Sequence, residues 1–453
     1  MKIKSICCIG AGYVGGPTMA VIALKCPELN ITVVDNNPQK IKQWNDEDLD
    51  NLPVYEPGLK EIIRETRNRN LFFSNDIDNA IDNSEMIFMA LNTPTKTSGE
   101  GAGMACDLTS IENATNRIAQ VAKSHKIVIE KSTLPVRTAE KIKEILNNSK
   151  KKFTFEVISN PEFLAEGTAI QDLFKSDRVL IGGDSTQKGK EAVNLLSNIY
   201  EKWIPKNKIL KVNVWSAELS KLASNAMLAQ RISSINSFSA LCDKTGAKID
   251  EISLAVGSDH RIGDKFLKVS PGFGGSCFQK DILNLVYLCQ YYGLNEVADY
   301  WIQVIKINDY QRSRLSNLID SYILENKLKK TISILGWAFK ANTNDSRESS
   351  SIYISYNLLE KGYNLKIYDP KVSKNKILED LFNLNLIHKK IKKDDLVNRI
   401  KIYSSIDEII EDSNIHVVLT EWEEFKVLND ITKKITVFDF RNYLKERKNI
   451  IKL

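Results

Sequence analysis

The sequence predicts an α/β protein: two Rossmann-like, doubly wound domains joined by a central all-helical region. Three observations carry this. A Gly-x-Gly-x-x-Gly run, Gly10-Ala11-Gly12-Tyr13-Val14-Gly15, follows a short apolar segment and opens an apolar helix. Helical periodicity then takes over from about Ser216 to Lys244 and again over 276–326. After the basic connector Lys327-Leu328-Lys329-Lys330, strand and helix patterns resume without a full glycine fingerprint. The expected domains are 1–212, 213–326 and 327–453.

In chain order, residues 3–9 read as a buried strand that runs directly into the glycines. A second strand, Ile31–Val34, ends in Asp35, twenty positions after Gly15. Strand, glycine turn, helix and acidic residue together meet the requirements of a dinucleotide site. The helix N-terminus then takes the pyrophosphate and Asp35 the adenosine ribose hydroxyls. A carboxylate there repels a 2′-phosphate, so NAD is expected over NADP. A glycine turn with no cofactor is the alternative, and the full context weighs against it.

Further strands are expected at Met86–Leu91, Lys126–Glu130 and Phe155–Ile158. Each runs into a polar or Pro-containing loop: Asn92-Thr93-Pro94-Thr95, Lys131-Ser132-Thr133-Leu134-Pro135, and Asn160-Pro161-Glu162. Ligands of open parallel sheets bind beyond the carboxyl ends of the strands, which is where these loops fall. Singly each reads as a turn; three in succession point to a site. In the last third, strands are expected at Thr331–Gly336, Asn364–Tyr368, Val417–Thr420 and Thr436–Phe440, with a helix over Ser349–Lys361.

Composition bounds the functional classes. The 453 residues carry 43% hydrophobic and 26% charged side chains, ordinary for a soluble globular protein. Net charge is +6, spread through Lys-rich loops without an Arg/aromatic block, so no nucleic-acid partner is expected. No apolar run reaches membrane-span length and no signal peptide precedes the first strand, so no membrane partner is expected and the chain reads as cytoplasmic. Seven cysteines without a Cys-x-x-Cys pair, and four scattered histidines, argue against a disulfide framework and against a metal.

One cysteine stands out. Cys277 lies in Gly-Phe-Gly-Gly-Ser-Cys-Phe-Gln-Lys-Asp, 272–281, before an apolar run that reads as a helix starting near Ser276. A thiol in the first turn of a helix is favoured as thiolate. Asp281 follows one turn later. Lys221 and Asn225, at i and i+4, share one face of the first central helix among apolar neighbours. Oxidising an alcohol to a ketone needs no sulfur. Oxidising it to an acid does, because an aldehyde yields hydride readily only after a nucleophile has added to it. The residues therefore point to a four-electron oxidation using two NAD.

Five segments carry a resemblance: Gly10–Pro17 (GAGYVGGP), Asn92–Lys96 (NTPTK), Asn160–Ala169 (NPEFLAEGTA), Glu218–Asn225 (ELSKLASN) and 272–281. Asp345–Ile354 (DSRESSSIYI) and Tyr368-Asp369-Pro370-Lys371 add to it. Over nearly its whole length the chain resembles the UDP-glucose/GDP-mannose dehydrogenase family in its animal and plant type. The resemblance implies oxidation of the glucosyl C6 hydroxymethyl of UDP-glucose to UDP-glucuronate with two NAD reduced. It assigns Cys277 as nucleophile and Lys221 and Asn225 to alkoxide and oxyanion stabilisation. Asp281 and Thr133 are assigned to water positioning, and Glu162 to general-base or relay duty.

For NAD it implies Gly10, Ala11, Gly12, Tyr13, Val14, Gly15, Asp35 and Lys40. Leu91, Asn92, Thr93, Pro94, Thr95, Ser132, Thr133, Leu134, Glu166, Cys277, Lys280 and Arg347 complete that set. For the UDP-sugar it implies Glu162, Phe163, Leu164, Ala165, Glu166, Lys221, Asn225, Lys268, Ser270, Phe273, Gly274, Phe339, Lys340 and Arg441. Arg261 matches an arginine that reaches across a dimer interface, which makes the central helices a homodimer core. Two departures stand out: Lys40 replaces an arginine of animal members, and Ala341-Asn342 replaces a more charged pair. Another nucleotide-sugar 6-dehydrogenase, for a UDP-hexosamine or GDP-mannose, is the alternative that shares the Cys, Lys and Asp.

Overall fold

The fold is built from two parallel sheets, and the computed structural model describes residues 3–431 and 435–453. The first sheet has β1 (Ser5–Ile9), β2 (Asn30–Val34), β3 (Leu71–Ser74), β4 (Met86–Met89), β5 (Lys126–Glu130), β6 (Phe155–Ser159), β7 (Val179–Gly183) and β8 (Ile209–Asn213). Their spatial order is β3-β2-β1-β4-β5-β6-β7-β8. All neighbours are parallel except β6 and β7, which meet antiparallel. The first six strands have the order of a dinucleotide-binding sheet.

Its inner strands are apolar on both faces because both faces are covered. Alternate residues feed separate cores. Ile6 and Cys8 of β1, with Phe88 and Ile129, pack on one side with the helix Gly15–Lys25. Cys7 and Ile9, with Ile87 and Val128, pack on the other with the helices Thr109–Val121 and Thr138–Asn148. Each fully buried Ile or Phe contributes roughly 1.5–3 kcal/mol.

The second sheet has β9 (Thr331–Leu335), β10 (Asn364–Tyr368), β11 (Ile400–Ile402), β12 (Ile415–Val418), β13 (Thr436–Asp439) and β14 (Ile450–Lys452). The order β11-β10-β9-β12-β13-β14 repeats the arrangement of the first six strands and is parallel throughout. In chain order, the helices Val214–Thr245, Ile249–Gly257, Phe278–Tyr291 and Asn295–Glu325 come after β8 and before β9. The chain divides into two compact units, one of Met1–Ser224 with Leu283–Tyr291, the other of Asn225–Ile282 with Tyr292–Leu453. The first boundary falls inside the helix Val214–Thr245.

Several elements differ from expectation. The helical stretch over 276–326 is two helices, because Gly293 takes φ +73° and ends the first of them. That first helix begins at Phe278, so Cys277 precedes it as a cap: its carbonyl accepts the Asp281 N–H at 2.8 Å. The strands β3, β7, β8, β11 and β14 were not expected. Four are short or exposed edge strands, and β7 ends in two glycines that read as a turn.

Candidate active site

In the first unit the loops that follow β1, β2, β4, β5 and β6 converge at the carboxyl ends of the strands. Gly10 adopts φ +111°, and a Cβ there would meet the Ala90 carbonyl at 2.2 Å, so only glycine makes this turn. A Cβ on Gly12, by contrast, would meet no protein atom within 4 Å, which leaves that backbone open to a ligand. Asp35 accepts the Ala11 N–H at 3.0 Å and the Asn37 N–H at 3.0 Å, and pairs with Lys40 at 2.9 Å. Burial opposes its charge, but the Lys40 ammonium and those two N–H groups outweigh burial and hold the carboxyl below its usual range. An open glycine backbone at a helix start and an ionised carboxylate one strand over fit NAD.

The other loops are tied together. Ser132 Oγ accepts the Leu91 N–H at 2.8 Å and donates to the Leu91 carbonyl at 2.7 Å; Thr93 Oγ1 donates to the Thr133 carbonyl at 3.2 Å. Asn92 and Pro94 are exposed, and Thr95 pairs across to Cys106 in an isolated bridge. Glu166 is half-buried and Ala165 exposed. Glu162 is buried; one oxygen accepts the Leu164 N–H at 2.6 Å and the other pairs with the buried Lys221 ammonium at 3.1 Å. Lys221 also lies 5.2 Å from the Phe163 ring centroid. The predicted lysine and the predicted relay carboxylate are thus in direct contact.

In the second unit, Asp281 is 1% exposed. Its carboxylate accepts from Asn225 Nδ2 at 2.6 Å and pairs with Lys280 at 3.1 Å. Cys277, which caps the same helix, is the only half-buried cysteine; the other six are buried, so their thiols serve packing. Burial pushes Cys8 up to about 12. The Cys277 sulfur lies 3.5 Å from Ser276 Oγ.

The glycine-rich loop before Cys277 is anchored along its length. The Ser270 N–H donates to Asn236 Oδ1 and its carbonyl accepts from Gln311 Nε2, the Phe273 backbone is bracketed by Asn308, and Arg312 donates to the carbonyls of Phe273 and Glu348 at 3.0 and 2.9 Å. A Cβ on Gly274 would meet the Glu348 carbonyl at 2.6 Å and Phe339 Cβ at 2.9 Å. This segment therefore packs against Phe339. Arg441 donates to the Phe339 carbonyl at 3.1 Å, and Lys340 is half-buried beside that ring. Arg347 forms a two-pronged pair with Asp345, at 2.8 and 2.7 Å. Lys268 is exposed, and Arg261 is exposed and clamped to Asp259.

Some groups near these sets escaped the sequence reading. Lys131 is buried at the end of β5, and Arg178 stacks at 3.8 Å on Phe163. Glu130 and Glu218 form a buried carboxyl pair. A lysine in a strand-end loop and a glutamate beside it read as solvated charge, so only the third dimension exposes them. Among the described residues, no group of three or more His, Cys, Asp or Glu is placed to hold a metal ion. No described helix is long and apolar enough to cross a membrane.

Comparison with known proteins matches three domains of one family, the UDP-glucose/GDP-mannose dehydrogenase family. Its NAD binding domain matches residues 4–204, its central domain 215–310 and its UDP binding domain 333–446. UDP-glucose 6-dehydrogenase of Gallus gallus is 53% identical over 456 residues, covering 99% of this chain and 91% of its own. UDP-glucose 6-dehydrogenase 1 of Glycine max is 52% identical, covering 96% and 93%. Among solved structures, a UDP-glucose dehydrogenase from Pyrobaculum islandicum superposes with a TM-score of 0.81 at 27% identity, covering 99% of this chain and 97% of that one.

Proposed function

The chain belongs to the UDP-glucose/GDP-mannose dehydrogenase family, and from that premise we propose how its residues oxidise UDP-glucose to UDP-glucuronate. The balance is one UDP-glucose, one water and two NAD in; UDP-glucuronate, two NADH and three protons out. The observation that carries the reading is the contrast among thiols: six are core, and Cys277 alone is half-buried, beside the Asn225–Asp281–Lys280 cluster.

NAD, held by Gly10–Gly15 and Asp35, supplies the hydride acceptor for both oxidations. The Lys221–Glu162 pair receives the proton of the C6 hydroxyl as the alcohol becomes an aldehyde. Cys277 thiolate adds to the aldehyde carbon, forming a C–S bond and a thiohemiacetal oxyanion. Lys221 and Asn225 stabilise that oxygen; one such donor contributes about 2.7–4 kcal/mol. The second oxidation leaves a thioester. Asp281, with Thr133, positions water for attack on it, the C–S bond breaks, and the thiolate is restored.

The remaining assignments follow from the same premise. Residues 1–212 hold NAD, 213–326 supply the Cys and Lys, and 327–453, with Phe339, Lys340 and Arg441, hold the UDP-sugar. The central helices expose Met227, Phe238, Leu241, Tyr300 and Tyr310, which supports a homodimer through that region with Arg261 at its interface. The protein works in the cytoplasm.

The test is the yield of NADH per sugar across UDP-glucose, UDP-hexosamines and GDP-mannose. Two NADH per UDP-glucose is expected. One, or a preference for another sugar, refutes the assignment. Cys277→Ser should lose nearly all turnover while binding NAD normally; normal turnover would exclude the covalent route.

A further inference from the structure

Lys131 is 4% exposed, yet its ammonium has only neutral hydrogen-bond acceptors: Asn160 Oδ1 at 3.1 Å and the Tyr200 hydroxyl at 3.4 Å. Tyr200 in turn donates to the same Asn160 oxygen at 2.8 Å, and Asn160 Nδ2 is held by the Leu180 carbonyl at 2.8 Å. The cradle is therefore rigid and built to orient a cation. The titratable groups facing it come from three elements: Glu162 in the loop after β6, Lys221 on the helix Val214–Thr245, and the neutral thiol of Cys8 on β1. Tyr200, at the end of the helix Gln187–Tyr200, contributes only its neutral hydroxyl.

A buried lysine costs stability, so its retention needs a reason. The charge count supplies one. Lys221 and Glu162, in contact at 3.1 Å, sum to zero, and a neutral pair is a weak partner for a developing oxyanion. A third, positive member restores a net charge of one.

We propose that Lys131 is a positioning residue of the active site, the buried cation of a Lys221–Glu162–Lys131 cluster that keeps net positive charge beside the reacting oxygen. The inference rests on the assignment of Lys221 and Glu162 to the C6 oxygen. Lys131 does not touch substrate; it acts by drawing Glu162 between two ammonium groups, which leaves Lys221 free to interact with the sugar oxygen. Burial brings the Lys131 ammonium down from 10.5 to about 8, partly offset by Glu162. The cluster then falls to zero net charge as pH rises past that point, and the oxidation slows.

The experiment measures kcat with UDP-glucose and NAD between pH 6 and 10, using the full-length protein, together with NADH yield per sugar. Wild type should lose rate through an inflection near pH 8. Lys131→Arg keeps its charge throughout this range, so the rate at pH 7 is largely retained and the inflection disappears. Lys131→Met should lower kcat at pH 7 by about tenfold or more, also without the inflection, while NAD binding is unchanged. Asn160→Asp, which leaves Lys131 in place, should move the inflection upward by pairing the ammonium. A purely structural lysine predicts none of these changes in the pH profile.

If folded Lys131→Met keeps the wild-type rate and inflection, the proposal is wrong. If Lys131→Met does not fold, an inflection unmoved by Asn160→Asp overturns it equally. A wild type that fails to yield two NADH per UDP-glucose instead overturns the parent assignment, and this role with it.

Discussion

Replacing Glu130 with glutamine should stabilise the protein above neutral pH. Glu130 ends β5 and is 1% exposed; Glu218, 2% exposed, accepts the N–H groups of Arg137 and Ala139 at 2.7 and 2.8 Å. Burial first, and the neighbouring Glu218 second, push Glu130 well above the carboxylate range. Burial takes Glu218 from 4.5 up to about 7 against the pull of those N–H groups. One proton therefore stays with the pair at neutral pH. A carboxyl raised on folding gives stability that is complete below about 4.5 and lost as pH rises to about 7. For Glu218 alone, at 1.36 kcal/mol per pH unit, the loss is roughly 3 kcal/mol, an upper bound once the site relaxes. Glutamine keeps the shape, donates an N–H to Glu218 and needs no proton. Urea unfolding of the cofactor-free protein, followed by far-UV circular dichroism at pH 5, 6.5 and 8, reads the difference. Wild type should weaken across that range. Glu130→Gln should weaken less steeply, keeping only the loss that Glu218 carries, and be about 1–3 kcal/mol more stable at pH 8. A variant that keeps the wild-type slope, or is weaker at pH 8, refutes the shared proton.

Much of this was legible in sequence because local chemistry and tertiary role coincide there. Gly10 to Asp35 read correctly since a glycine turn, a following helix and an acidic strand end are each local signals with one joint meaning. β5 and β10 read to the residue because a buried parallel strand is a continuous apolar run between polar loops. β8 failed for the converse reason: four of its five residues face solvent, so Lys211 and Asn213 break the pattern that a strand reading depends on. The break at Gly293 was hidden because both flanking segments keep helical periodicity. At the candidate site, residue types and their local pattern singled out Cys277 and Lys221. Sequence cannot say that Asn225 turns its amide to Asp281, or that Lys131 is buried, since those facts depend on elements far apart in the chain meeting in space.

Two further outcomes follow from the site. Lys221→Ala should lower kcat about a hundredfold or more, with KM for UDP-glucose changed far less, as the transition-state role proposed for its ammonium requires. It also deprives Glu162, at 8% side-chain exposure, of the ammonium it contacts at 3.1 Å. The double variant with Glu162→Gln should therefore unfold at higher urea than Lys221→Ala alone, and a lower midpoint would show that the pair is not coupled. Gly274→Ala probes the loop before the thiol. The new methyl would sit 2.6 Å from the Glu348 carbonyl, and that carbonyl already accepts Arg312 at 2.9 Å, so it cannot yield without breaking a buried hydrogen bond. Displacement must pass instead into the segment that leads to Cys277. The strain costs about 1–3 kcal/mol. KM for UDP-glucose should rise while NAD affinity, set by the first unit, holds. Equal losses in both would mean that the loop supports the whole molecule, and unchanged values would mean that its backbone is free to move.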